Sequence, residues 1–165
     1  MSALGSAEDG LVVKLRSQYC GAARPLLKGS RERRTIFMFR QFEPWAKSVT
    51  QNFPGYTPEG LLREYSRALQ CYAYLLENSR CHVIQFENLV ADPRKVVSGL
   101  SEFLERDIPA ASAVQAMSVH SQAGTHLESA SAKGRARWEQ IREETLGLWK
   151  GSSTAEFCGQ ILRAA

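Results

Sequence analysis

The sequence predicts an α/β fold: a parallel sheet with flanking helices. Three short apolar runs, at residues 11–14, 35–39 and 82–86, alternate with segments in which apolar residues recur at helical spacing. Strand, helix and strand in that order, joined by right-handed crossovers, is the sequence form of a parallel α/β sheet. The length of 165 residues, with an apolar fraction of 44%, fits a single domain over residues 1–165.

The three predicted strands differ in strength. Residues 35–39 are apolar at nearly every position, which predicts a strand buried on both faces. Residues 11–14 and 82–86 are weaker and are assigned as strands because helical patterns flank them. Three strands make a thin sheet, since sheets usually have about five or six strands.

The helix between the second and third strands has a legible start. Thr57 is the expected N-cap, and Pro58 occupies the first helical position. The helix is expected to end near Asn78 and Ser79. Its predicted buried stripe consists of Leu62, Tyr65, Leu69, Tyr72 and Leu76.

Further helices follow the third strand. Asp92 and Pro93 repeat the cap signature and precede an apolar side made by Val96, Leu100, Phe103 and Leu104. Pro109 is expected to open a short helix that runs through Met117. Residues 119–134 are polar and rich in Gly, Ser and Ala, which predicts a loop, and two amphipathic segments end the chain. Residues 1–10 are expected to be disordered.

Composition excludes several classes of protein. A net charge of +4 favours an anionic ligand but is too small to indicate a nucleic-acid partner, and the basic residues are scattered. No run approaches the roughly 18 apolar residues of a membrane span, and no signal peptide is recognisable. The four cysteines form no C-x-x-C pair, so they are expected to be reduced thiols in a cytoplasmic protein. The three histidines lack ligand spacing, so no metal is expected.

The second predicted strand ends at a candidate anion site. Arg40 follows the strand, and a helix that carries Ser48 begins directly after it. Ligands of open α/β sheets bind beyond the carboxyl ends of the strands, where a guanidinium and the N–H groups of a helix N-terminus both favour an anion. The alternative is an arginine paired with Glu43 or Glu87, with a solvent-facing serine.

Two segments together resemble the sulfotransferase family. Residues 86–94 read Phe-Glu-Asn-Leu-Val-Ala-Asp-Pro-Arg and lead into a helix that ends Phe-Leu. This is similar to the family pattern of an apolar strand, Tyr-Glu-Asp-Leu, Asp-Pro and a helix ending Phe-Leu. The strand before Arg40, with Ser48 eight positions later, resembles the family's other signature. The resemblance covers roughly residues 11–129 and implies a P-loop-NTPase-like sulfotransferase fold.

The resemblance also implies roles for individual residues. Arg40 and Ser48 would bind the 3'-phosphate of the co-substrate 3'-phosphoadenosine 5'-phosphosulfate, and no metal would be needed. Lys14 and Arg16 would lie at the reaction centre, although Arg16 stands where small-molecule sulfotransferases have a histidine base. An arginine stays protonated at neutral pH, so it can act there only electrostatically. Phe86 would take the place of the family tyrosine.

A later segment, from Lys133 and Gly134, is similar to the family's Arg-Lys-Gly loop, which closes over the 3'-phosphate. Its first arginine is replaced by Ala132, so the alternative of a solvated loop and helix face stays open for these basic residues. Residues 1–10 contain no counterpart of the family's Pro-Lys-Ser-Gly-Thr-Thr phosphate loop. We therefore expect an N-terminally truncated form of the fold, with an exposed sheet edge through which the chain self-associates.

These observations predict a transferase that moves a sulfuryl group to a hydroxyl or amine of a small-molecule or glycan acceptor. The absence of the phosphate loop makes activity of this chain alone doubtful, so the alternative is a non-catalytic pseudoenzyme or a partner-binding fragment of the same fold. A kinase-like phosphotransferase would need a Gly-rich loop with lysine and a magnesium-binding carboxylate, and the sequence shows neither.

Overall fold

Strands and helices alternate through the middle of the chain, as the sequence predicts. The computed structural model describes residues 2–4, 12–15, 17–28, 33–118 and 132–164. A short 3-10 helix, Ser17–Ala22, precedes the first α-helix. In chain order the other elements are β1 Ser2–Leu4, β2 Val12–Lys14, α1 Ala23–Lys28, β3 Arg34–Phe39, α2 Phe42–Asn52, α3 Pro58–Asn78, β4 Arg80–Gln85, α4 Phe86–Ala91, α5 Pro93–Leu104, α6 Ala110–Ser118, α7 Ala132–Lys150 and α8 Ser153–Ala164.

The central sheet is a parallel pair. β3 pairs with β4 from Arg34 opposite Arg80 to Phe39 opposite Gln85, and α2 and α3 form the crossover between them. β2 does not join this sheet, because it pairs antiparallel with β1, with Leu4 opposite Val12. The prediction of three parallel strands is therefore wrong for the first strand. A three-residue strand finds a partner most easily nearby in sequence, because closing a short loop costs little entropy.

The start of α3 matches its prediction. The Thr57 hydroxyl oxygen accepts a hydrogen bond from the backbone N–H of Gly60 at 3.1 Å, and a proline occupies the first turn. The middle of the predicted buried stripe is confirmed, because Tyr65, Leu69 and Tyr72 are buried. Its ends are wrong, since Leu61 and Leu75 are buried whereas Leu76 is 50% exposed. Leucine doublets stand at both places, so the spacing alone does not choose between the two phases.

The main core lies on one face of the parallel pair. Phe37 stacks on Tyr72 with ring centroids 4.9 Å apart, and Phe39 lies against Tyr65. α2 and α7 complete this layer, with Trp138 of α7 only 1% exposed. On the other face, α5 packs against β4 and leaves β3 uncovered.

The contact of α5 explains why β3 is exposed. α5 reaches β4 through the stacked rings of His82 and Phe103, whose centroids are 5.0 Å apart. On the same face, Ile36 and Met38 of β3 remain 44% and 55% exposed. The expectation that residues 35–39 are buried on both faces is therefore wrong. Within the described part of the chain, β3 pairs with β4 alone, so its other edge has no strand.

The largest differences between expected and observed element bounds are at three places. β4 begins at Arg80 and ends at Gln85, so Phe86 opens α4 and does not end the strand. α7 begins at Ala132, which makes the last three residues of the predicted loop helical, while 119–131 lie outside the described residues. Within the span expected to be disordered, residues 2–4 form β1, and 1 and 5–10 lie outside the described residues. None of the described helices has the length and apolar character needed to cross a membrane.

Candidate functional site

The candidate site lies where β3 and β4 end and α2 and α4 begin. Because the strands are parallel and Phe39 pairs with Gln85, the residues after them, Arg40 and Phe86, become neighbours. The guanidinium carbon of Arg40 lies 4.8 Å from the centroid of the Phe86 ring. This separation fits a cation–π contact, which also holds the flat guanidinium in one orientation. The fold thus brings together two of the predicted binding residues that are far apart in sequence.

Arg40 has no carboxylate partner among the described residues. Glu43 instead accepts hydrogen bonds from Arg142, at 3.0 Å from Nε and 2.9 Å from Nη2. The Oε1 atom of Glu87 accepts a hydrogen bond from the backbone N–H of Gln41 at 3.2 Å. The alternative considered from the sequence was an arginine paired with Glu43 or Glu87. The structure shows neither of these two ion pairs.

One donor of the Arg40 side chain is buried and unsatisfied. Its Nε atom is shielded from solvent and has no hydrogen-bond partner among the described residues. A buried donor without a partner costs about 1–3 kcal/mol, so such a group is uncommon in a folded protein without a reason. An acceptor at the edge of the sheet would remove this cost, provided that it can reach the guanidinium.

Tyr65 of α3 holds the turn from which Arg40 projects. Its hydroxyl donates a hydrogen bond to the Arg40 carbonyl oxygen at 2.6 Å. Burial raises the pKa of Tyr65 far above its ordinary value, so the hydroxyl keeps its proton and remains a donor. The sequence places Tyr65 in a buried stripe but carries no signal for this hydrogen bond, because the contact joins α3 to a strand end.

Glu87 adds a carboxylate to the site. It lies in the first turn of α4, and within the described part of the chain its buried Oε2 atom has no hydrogen-bond partner. The site therefore holds a cation and a carboxylate, each with one unsatisfied atom. The carboxylate lowers the positive potential for an anion, but it also offers an acceptor for a hydroxyl or amine donor.

The remaining predicted phosphate-binding residues lie along α2 and at the start of α7. Ser48 is half-buried in the second turn of α2, and its carbonyl oxygen accepts from Asn52 Nδ2 at 2.8 Å. α7 runs antiparallel to α2, so Gly134 meets Gln51 at the far end of α2. A Cβ atom on Gly134 would lie 2.6 Å from the Gln51 carbonyl carbon, which means that this glycine is required for packing. Lys133 beside it is exposed.

The structure therefore divides the predicted binding residues into two groups. Arg40, with the Phe86 ring against it, comes just before the N-terminal end of α2, whereas Lys133 and Gly134 lie near its C-terminal end. The 11 residues of α2 separate these ends by about 16 Å at a rise of 1.5 Å per residue. Among the described residues, no hydrogen bond or ion pair joins Arg40 to Ser48.

The two predicted reaction-centre residues lie in the N-terminal segment. Lys14 is the last residue of β2 and pairs with Ser2. Arg16 lies outside the described residues. The described side chains contain no group of three or more His, Cys, Asp or Glu that could hold a metal ion.

Comparison with protein-family models, with curated proteins and with solved structures finds no match to this chain. Any functional assignment therefore depends on the residues of the chain and on the geometry described above.

Proposed function

We propose that this chain is a sulfotransferase-like domain that binds the 3'-phosphate of 3'-phosphoadenosine 5'-phosphosulfate and acts in sulfuryl transfer to a hydroxyl or amine. One observation carries the proposal. Arg40 lies at the carboxyl edge of the parallel pair, stacked on Phe86; among the described residues its buried Nε atom has no hydrogen-bond partner and no carboxylate pairs with it. This edge is where open α/β sheets bind their ligands.

The chain's own residues would act mainly by positioning. The guanidinium of Arg40 offers several donors in a fixed plane, which suits two oxygens of one phosphate group. Phe86 holds the plane of the Arg40 guanidinium, and the Tyr65 hydroxyl holds the Arg40 backbone. The Arg40 side chain therefore loses little conformational freedom when a ligand binds. The N-terminus of α2 adds the positive end of a helix dipole.

Transfer itself would depend on orientation and on charge. Lys14 and Arg16 are the candidates to offset negative charge on the transferring group. Ser48 is the candidate partner of Arg40 at the 3'-phosphate, and Lys133 and Gly134 are the candidates to close over that phosphate. Accelerations from orientation and preorganised charge are large, so this chemistry needs no metal ion in principle.

A second candidate function is a non-catalytic domain of the same fold that binds a partner. It is favoured by one observation. Gly134 is packed against the backbone of α2 at the end distant from Arg40, and it does not lie beside Arg40 and Phe86. On this reading the binding residues are partly dispersed, and the chain keeps the architecture without turnover.

Titration calorimetry with two nucleotides tests the first proposal. Adenosine 3',5'-bisphosphate carries the 3'-phosphate, and adenosine 5'-monophosphate lacks it. We expect Arg40→Ala to weaken binding of the bisphosphate roughly 30- to 150-fold, because a charge-assisted contact is worth about 2–3 kcal/mol. Binding of the monophosphate is expected to stay unchanged.

Arg67→Ala is the matched control, because Arg67 is an exposed arginine whose ion pair with Glu64 lies within α3. It is expected to leave both affinities unchanged. Folded wild-type protein that binds neither nucleotide would overturn the proposal and support the non-catalytic domain. An equal loss of both nucleotides in Arg40→Ala would show that Arg40 does not recognise the 3'-phosphate.

A further inference from the structure

Three of the four cysteines converge where the 3-10 helix packs on α3. The thiol of Cys71 donates a hydrogen bond to the carbonyl oxygen of Cys20 at 3.6 Å. Each of these two thiols also shifts the pKa of the other. Cys71 and Cys81 of β4 pack against the same small buried cluster, which consists of Ala23, Leu27 and Leu75. The sequence separates Cys20 and Cys71 by 51 residues, so only the fold reveals the pair.

The pair is accessible to small reagents and is not sealed in the core. Cys20 and Cys71 are both partly exposed, whereas Cys158 is buried. Arg24 is the neighbouring cation, and its guanidinium lies 5.1 Å from the ring centroid of Tyr74. Since Tyr74 lies one turn after Cys71 on α3, this contact keeps the positive charge beside the Cys71 thiol.

The two thiols differ in acidity. The hydrogen bond from the Cys20 thiol lowers the pKa of Cys71, and the charge of Arg24 lowers it further against the opposing effect of burial. The same hydrogen bond and burial raise the pKa of Cys20. Burial is also the main reason why the pKa values of Cys81 and Cys158 are raised. Because the thiolate is the nucleophile, Cys71 is the group that reacts first.

We propose that Cys20 and Cys71 form a reversible dithiol–disulfide pair that is oxidised by small-molecule disulfides such as oxidised glutathione. The Cys71 thiolate attacks one sulfur of the disulfide, so that a mixed disulfide forms and one glutathione thiolate leaves and takes up a proton. Deprotonated Cys20 then attacks the Cys71 sulfur and expels the second glutathione thiolate. Two protein thiols are oxidised, and one glutathione disulfide is reduced to two thiols.

The crosslink has a defined structural consequence. Cys20 lies six residues after Lys14, and Cys71 lies in the C-terminal half of α3. Oxidation therefore fastens the segment that follows β2 to the central helix. This modification site is separate from the edge formed by Arg40 and Phe86, to which neither cysteine belongs.

Peptide mapping of the full chain tests the proposal directly. Trypsin, which cleaves after Lys and Arg except before Pro, places the four cysteines on four separate peptides: 17–28, 68–80, 81–94 and 151–163. After exposure to oxidised glutathione and capping with N-ethylmaleimide, we expect 17–28 to be crosslinked to 68–80. The other two peptides are expected to carry the maleimide.

Variants separate the two steps. Cys20→Ser is expected to leave glutathione attached to peptide 68–80, since the resolving thiol is gone. Cys71→Ser is expected to abolish the crosslink, and Cys158→Ser is the matched control that keeps it. At pH 7, native Cys71 is expected to react with iodoacetamide at least roughly tenfold faster than Cys158.

The unfolded chain supplies the reference that does not depend on any variant. In guanidinium chloride the cysteines are expected to pair in a mixture that includes 68–80 with 81–94. A native chain that gives the same mixture, that pairs Cys71 with Cys81, or that forms no crosslink would overturn the proposal. Selective pairing of 17–28 with 68–80 in the native chain alone would support it.

Discussion

Gly134 lies where the protein has no room for a side chain, and substitution by alanine tests this. A Cβ atom there would lie 2.6 Å from the carbonyl carbon of Gln51, and that neighbour is helix backbone that cannot rotate away. Gly134→Ala is expected to lower the free energy of unfolding by about 1–3 kcal/mol, measured by urea denaturation. Gly147→Ala, in the same helix with nothing within 4 Å, is the control and is expected to stabilise by about 0.5–1 kcal/mol. Equal effects of the two substitutions would contradict the packing role.

At the residue scale, a site is predictable where the sequence marks a strand end. Arg40 could be singled out because it follows an apolar strand, and Phe86 because it begins the next recognisable segment. The Tyr65 hydroxyl on the Arg40 carbonyl could not be predicted, since a tyrosine at helical spacing indicates only a core position. The same holds for Cys20 and Cys71, whose contact depends on how the 3-10 helix docks on α3.

Among the features of individual helices and strands, the N-cap of α3 is the one that the sequence predicts most directly. The Thr57 hydroxyl oxygen accepts a hydrogen bond from Gly60 N–H, which would otherwise be unpaired at the helix start. Thr57→Ala is expected to cost about 1 kcal/mol of stability in urea denaturation, and Thr57→Ser is expected to keep most of it because the oxygen remains. If Thr57→Ser loses as much as Thr57→Ala, the hydroxyl oxygen is not the source of the stabilisation.

Helix ends were therefore easier to predict than helix faces. Two helix starts are marked by neighbouring residues, Thr57–Pro58 and Asp92–Pro93. In each pair the first side chain accepts a local hydrogen bond, and the proline fixes a backbone angle that suits a helix. The buried face of α3 depends on its partners. Leu75 is buried because Ala23 and Leu27 of α1 pack on it, and no local pattern distinguishes it from the exposed Leu76.

For the whole molecule, the order of elements was predictable but the sheet was not. Two apolar runs with helical segments between them predict parallel pairing, because parallel strands need a long crossover connection that is usually helical. β3 and β4 pair in this way. The pairing of β2 with β1 does not follow, because Ser2–Leu4 carries no strand signal and three residues are too few to show a period. The apolar run of β3 predicts a strand that is buried on both faces, but α5 covers only the neighbouring strand, β4.

The exposed face of β3 makes the state of association the property to measure. Ile36 and Met38 are large apolar side chains beside a strand edge that no described strand occupies, and such edges promote pairing between chains. We expect the sedimentation coefficient of the wild type to rise with concentration, and Met38→Lys to remove that rise while leaving the unfolding free energy within about 0.5 kcal/mol, because Met38 is largely exposed. Leu76→Lys, on an equally exposed helix position, is expected to associate like the wild type. A wild type that sediments as a monomer at every concentration, or two lysine variants that behave alike, would show that the edge of β3 is not the contact surface.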